Sequence, residues 1–205
     1  NSSITAMGFF SSGNNENLTT NNTNEFSQTN ETAQTSARKE AEKEKNQNYQ
    51  FSLNYLHNFS DNGHKITADL QYENDKETEQ SIISEVVSFP GIMRLSSESI
   101  TNKENQDEYL AQIDYVLPIG ENAQFEAGFR GNMEESITNY LLLEEVGTSG
   151  TFARNDSLSN IFTYNENVNA LYSQYGNKIG SISFLLGLRL EGTQLKGKVN
   201  AQGLN

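Results

Sequence analysis

The stretch Asn48–Glu73, NYQFSLNYLHNFSDNGHKITADLQYE, decides the architecture. From Tyr49 to Phe59 its odd positions read Tyr, Phe, Leu, Tyr, His and Phe, and its even positions are mostly Gln, Ser and Asn. Successive side chains of a strand point to opposite faces, so one face is aromatic and the other polar. Ser60-Asp61-Asn62-Gly63 then reads as a hairpin turn, with glycine where a positive φ is needed. Alternation resumes beyond it as Ile66, Ala68, Leu70 and Tyr72 against Lys65, Thr67, Asp69, Gln71 and Glu73. The two runs form an antiparallel hairpin.

The unit recurs twice. Tyr109, Ala111, Ile113, Tyr115 and Leu117 alternate with Gln112 and Asp114, turn at residues 118–122, and return as Phe125, Ala127, Phe129, Gly131 and Met133 against Gln124, Glu126 and Arg130. Phe162, Tyr164, Val168, Ala170 and Tyr172 then alternate with Thr163, Asn165, Asn167 and Asn169. They turn near Tyr175-Gly176-Asn177-Lys178 and return as Ile182, Phe184, Leu186, Leu188 and Leu190 against Ser183, Gly187, Arg189 and Glu191. Residues 4–10 read as the tail of an earlier strand, giving seven. The hairpins, about 48–73, 108–134 and 161–193, are separated by long polar stretches at about 11–47, 75–103 and 136–159, so connections alternate short and long. Strands of about twelve residues span roughly 40 Å at ~3.3 Å per residue. Tilted by ~40° they rise about 30 Å, enough for the ~25 Å apolar band of an outer-membrane barrel. A soluble sandwich also alternates, but with shorter strands and without sorted loops. The expectation is an all-β antiparallel meander of long strands, part of a large transmembrane β-barrel with short periplasmic turns and long extracellular loops. Residues 1–205 then form one partial barrel domain.

Composition narrows the function. A hydrophobic share of 34% is lean for a soluble core. The net charge of −13 argues against nucleic acid or an anionic membrane surface as partner. With no Cys and two His there is little material for a metal centre, a thiol nucleophile or an imidazole acid/base pair. No catalytic residue, cofactor or metal ligand is assigned, and the chain is read as no enzyme. Asn1-Ser2-Ser3 carries neither an initiator Met nor a signal peptide. The odd strand number and the end in Ala201-Gln202-Gly203-Leu204-Asn205, without a closing aromatic, likewise lead us to expect a segment of a longer chain.

Asp69, Gln71, Asp114, Glu126, Arg130, Arg189 and Glu191 share the polar parity and are the candidate lumen-facing residues, with Arg130 and Arg189 expected to bond carboxylates on adjacent strands. Glu166 falls on the apolar parity between Tyr164 and Val168, where a charge is costly, and is a sharp test of register. Tyr49, Tyr55, Tyr72, Tyr109, Tyr115, Tyr164 and Tyr172 suit an interfacial girdle. His57 and His64, flanking the first turn, read as exposed turn residues. Arg38 to Lys45 is a mixed-charge run, read as a solvated loop or strand extension. The loops hold two apolar islands, 81–93 and 140–146, whose Phe89, Ile92, Met93 and Tyr140 are the candidate ligand or lid contacts.

The run Phe162-Thr163-Tyr164-Asn165-Glu166-Asn167-Val168-Asn169-Ala170-Leu171-Tyr172, followed by Phe184-Leu185-Leu186-Gly187-Leu188-Arg189-Leu190-Glu191-Gly192-Thr193, resembles the barrel of TonB-dependent outer-membrane receptors. It is similar to barrels in which a Y-x-E-x-x-x-A-x-Y strand precedes a G-x-R-x-E-x-T strand. The resemblance implies location in the outer membrane of a Gram-negative-type bacterium. It also implies import of a nutrient or metal-chelate ligand, and contact with outer-membrane lipid, a plug domain and the rest of the barrel. A periplasmic TonB-type energy transducer and a surface lipoprotein are its implied protein partners. A cell-surface β-rich adhesin or scaffold is the alternative. An outer-membrane hydrolase ranks third, with Asp69, Asp114 and Glu126 as the carboxylates to mutate.

Overall fold

The computed structural model describes residues 1–201. Seven long strands build one sheet: β1 (Ser2–Phe26), β2 (Thr32–Asn58), β3 (Lys65–Phe89), β5 (Glu98–Ile119), β6 (Ala123–Glu145), β8 (Asn160–Ile179) and β9 (Ile182–Ala201). Two short strands, β4 (Met93–Arg94) and β7 (Phe152–Arg154), pair with β3 and β6. Every pairing is antiparallel and the order is β1-β2-β3-β5-β6-β8-β9, a meander in which each long strand lies beside its sequence neighbour. Among the described residues, β1 and β9 each pair on one side only. The closing stretch 202–205 lies outside the described residues.

The register carries the apolar parity from strand to strand. Phe51 pairs with Tyr72, Tyr72 with Tyr109 and Tyr109 with Met133. One row nearer the turns, Leu53, Leu70, Ala111 and Gly131 follow one another in the same way. No second layer covers this face among the described residues: Phe51 is 52% exposed, Ile113 47% and Phe184 37%. A sandwich would have buried all three. The bare apolar face runs from Tyr109 to Leu117 on β5 and from Phe125 to Met133 on β6, about 26 Å along each strand.

Three expectations are corrected. First, residues 11–47, 75–103 and 136–159 are mostly not loops. The ladder continues from Ser11↔Asn48 to Phe26↔Thr32, leaving only residues 27–31 as a turn. Likewise β3 runs on to Phe89, and β6 to Glu145. Thus β2 is 27 residues long, about 90 Å at ~3.3 Å per residue. A strand wet on both faces still pairs every backbone N–H and C=O, and that suffices to continue it. Second, the third short turn falls at Gly180, φ 61°, four residues beyond the expected glycine, Gly176, because β8 continues to Ile179. The other two turns use Gly63, φ 91°, and Gly120, φ 65°, as expected.

Third, the parity of β8 is reversed. Tyr172 pairs with Gly128, Ala170 with Arg130, Val168 with Asn132 and Glu166 with Glu134, all on the polar face. Leu171 and Tyr175 carry the apolar parity, opposite Phe129 and Phe125 on one side and Leu190 and Leu186 on the other. Tyr164 and Tyr172 therefore leave the girdle, and Glu166 has no lipid-facing cost to explain. A residue-by-residue reading favoured the parity with more aromatic side chains, but a strand's facing is fixed by its neighbours.

Candidate functional site

The ladder brings the seven polar candidates onto one face in adjacent rows. Asp69, Gln112, Arg130, Ala170 and Glu191 stand side by side across β3, β5, β6, β8 and β9. One row toward the short turns come Thr67, Asp114, Gly128, Tyr172 and Arg189. Glu126 with Gln174 follows below, and Gln71 with Leu110 and Asn132 lies above.

Their bonding differs from the expectation at both arginines. Arg189 donates from Nε and Nη2 to Glu191 Oε2, at 3.0 and 2.6 Å, along its own strand rather than across to a neighbour. Its guanidinium lies 5.8 Å from the ring centroid of Tyr172, a cation–π contact. Arg130 makes no ion pair with a carboxylate among the described residues. The Tyr172 hydroxyl donates to Asp114 Oδ1, and Gln112 Nε2 to Asp114 Oδ2 at 2.8 Å. Gly128 makes room for the Tyr172 ring: a Cβ there would sit 2.4 Å from its Cζ. Tyr164 donates to Glu166 Oε2 at 2.6 Å, two residues away on the same strand and face.

Amides, rather than cations, meet the carboxylates in and next to these rows. Asn54 donates to Asp69, and Gln124 and Gln174 donate to Glu126. Asn48 reaches Glu73 at 2.7 Å and Asp75 at 2.6 Å, while Gln50 reaches Glu73 at 2.7 Å. An amide donor stabilises the ionised carboxylate without cancelling its charge, so this face stays strongly negative.

Beyond the apolar band the strands sort charge by face. On the polar parity Glu73, Glu108, Glu134 and Glu166 form one unbroken cross-strand row, and Glu77 lies opposite Glu104, as Glu44 does opposite Glu79. Burial, with the neighbouring charges of Glu44, Glu104 and Glu79, pushes the Glu77 carboxyl above its ordinary value. The other face carries Lys43, Lys45, Lys76, Lys103, Lys196 and Lys198 in the rows that continue Tyr49, Tyr72 and Tyr109. The signal was present in the sequence: from Lys39 to Lys45 every charged odd position is Lys and every even one is Glu.

At the far end the two longer returns are clamped together. Arg94 donates to both oxygens of Glu145, at 3.1 and 2.7 Å, and the backbone N–H groups of Ser97 and Gly150 add bonds of 2.9 and 2.7 Å. The Glu145 side chain is fully buried, and these donors, the Ser97 N–H foremost, hold its pKa down at about 2. Sequence reasoning missed this pair, whose members are 51 residues apart. Phe89 ends β3, Ile92 is 88% exposed in the turn, and Met93 opens β4 at the level of Val87. Tyr140 stands lower, on β6 between Asn102 and Asn160, at the level of Glu79. The four candidate contacts do not converge on one spot. Nor do the two histidines meet: His64 Nε2 lies 2.8 Å from the Tyr115 hydroxyl, His57 Nδ1 lies 2.7 Å from Ser2 Oγ, and Phe59 packs against both rings.

A family model described as outer membrane protein beta-barrel family matches residues 57–204, well over half of the chain. No curated protein matches it.

Proposed function

The chain belongs to the outer membrane protein beta-barrel family, and from that premise we propose that it forms part of the wall of a TonB-dependent receptor that imports a nutrient or metal-chelate ligand. In such a barrel the apolar parity meets hydrocarbon and the polar parity lines the wet interior. Strands two to three times longer than the band requires carry that wall outward beyond the membrane. The observation that carries the reading is the single face shared by Asp69, Gln71, Asp114, Glu126, Arg130, Arg189 and Glu191, continued by the glutamate row above it. A plug domain, an energy transducer in the periplasm and a surface lipoprotein are the partners that this reading brings with it. It assigns the face no reaction, since Asp69 and Glu126 are tied to amides, Asp114 to Tyr172 and Gln112, and Glu191 to Arg189, rather than set as an acid/base pair.

The test is uptake of radioactive iron chelates by cells carrying or lacking the full-length protein, with the proton gradient intact or collapsed. Import that requires both the protein and the gradient is expected. Import that survives collapse of the gradient overturns active transport. Cell-surface attachment that is lost with the gene, while uptake of the whole chelate panel is unchanged, favours the adhesin reading.

A further inference from the structure

The apolar face is not a uniform wall. Where β5 and β6 run side by side, Ala111 and Gly131 are paired small residues, and they floor a hollow of about 500 Å³ walled by Phe51, Tyr72, Phe129 and Met133. Directly above it, sharing Tyr109 and Met133, lies a second hollow of about 610 Å³ lined by Lys196, Gln194, Asn165 and Asn167 and by the acidic residues Asp107 and Glu135. Glu134 and Glu166, whose side chains have the opposite parity, are also on its edge. The pair makes one groove that is oily within the band and polar just outside it. Lysines bracket its upper end: Lys196 and Lys198 on β9 to one side, Lys76 and Lys103 on β3 and β5 to the other. All four share the lipid-facing parity, although the chain as a whole carries −13. Of the carboxylates on that parity, Asp107 is occupied by the Tyr72 hydroxyl at 2.8 Å and by amide donors from Asn74 at 2.9 Å and Asn105 at 3.0 Å. Glu135 faces the upper hollow, while Glu16, paired with Lys43, and Glu145, paired with Arg94, lie elsewhere on that parity.

We propose that this groove seats one phosphate-bearing lipid of the outer leaflet, with an acyl chain against Ala111 and Gly131 and the phosphates at Lys196, Lys198, Lys76 and Lys103. The shape and sign follow from elementary chemistry. A missing side chain leaves a trough that hydrocarbon fills without desolvating anything polar, and ammonium groups at the interface recognise phosphate as point charges. The proposal rests on the apolar parity meeting hydrocarbon and is independent of the import reading, so either can fail alone.

The experiment titrates fluorescent diphosphorylated lipid A into the full chain, folded in a zwitterionic detergent. The same lipid with its phosphates removed is the comparison. Saturable binding is expected for the phosphorylated form, weakened about fivefold for each of Lys76→Gln, Lys196→Gln and Lys198→Gln. Glu135→Gln is expected to tighten it, and Ala111→Leu, which fills the trough, to weaken it. Lys65→Gln removes the same charge at the opposite end of β3 and is expected to change nothing. Equal binding of the dephosphorylated lipid, or affinity indifferent to the three lysines, overturns the proposal. Should Ala111→Leu fail to fold, as judged by heat-dependent migration on a gel, the exposed lysine variants and Glu135→Gln still decide the matter.

Discussion

Within single strands the chemistry changes at Tyr49, Tyr72 and Tyr109. Toward the short turns the alternation is oil against amides and acids, and away from them it is lysine against glutamate, on the same ladder and in the same register. The backbone barely distinguishes the two halves, because the ladders run through both and slip only near the far tips, at Ala33 and Ser88. What differs is the solvent that each outer face is built to meet. The near half is matched to hydrocarbon, and the far half, wet on both sides, relies on its ladder, on side-chain bonds such as Lys43 to Glu16 at 2.9 Å, and on the clamp at its tip.

The largest expected effect tests that division directly. Ile113→Lys puts a charge in the middle of the band and is expected to cost about 2–4 kcal/mol. Thr101→Lys, on the same strand and parity but in the far half, is expected to stay within about 0.5 kcal/mol. Unfolding of both variants in detergent, followed by denaturant titration, checks this, and equal costs would break the comparison. Next, Gly128→Val forces a side chain into the Tyr172 ring and is expected to cost about 1–3 kcal/mol, with partial recovery in the double variant that adds Tyr172→Ala. No recovery would mean that the ring is not what the glycine accommodates.

The clamp gives a pH signature confined to the far end. Glu145 ionises at about 2 in the fold against an ordinary 4.5. Because its pKa is lowered, its contribution is complete above the ordinary value and is lost as pH falls from there toward about 2. The chain has no cysteine, so a spin label at Thr148→Cys reports on this loop alone. It is expected to be ordered at neutral pH, to loosen across that acid range, and to be loose at every pH in Glu145→Gln. The smallest expected effect is a gain. Glu104→Gln removes a like charge opposite Glu77 and is expected to stabilise the far half by under about 1 kcal/mol at neutral pH, an advantage that shrinks on acidification as the carboxyl groups take up protons.

The near half was legible because hydropathy alternates there with few exceptions, and that alone gives seven strands and the polar face. The far half was legible in principle but not through hydropathy: Lys76-Glu77 and Lys103-Glu104 alternate by sign, a pattern that a solvated loop also tolerates. The parity of β8 was not legible from β8 itself, since Phe162, Tyr164 and Tyr172 outweigh Leu171 and Tyr175 as an apolar set. The cross-strand pairings show which side it faces, with Leu171 and Tyr175 among apolar neighbours and Tyr172 over Gly128. Arg94 and Glu145 meet because two separate returns fold onto each other, and no local spacing encodes such a meeting.

Tying acids to amides instead of arginines has an electrical corollary. A surface whose fixed anions are held in place but left uncompensated behaves as an ion-exchange medium, drawing mobile cations into the adjacent water and depleting anions by Donnan partition. An electrode across a bilayer containing the complete protein would register this as a reversal potential displaced toward that of the cation whenever a conductive path is open.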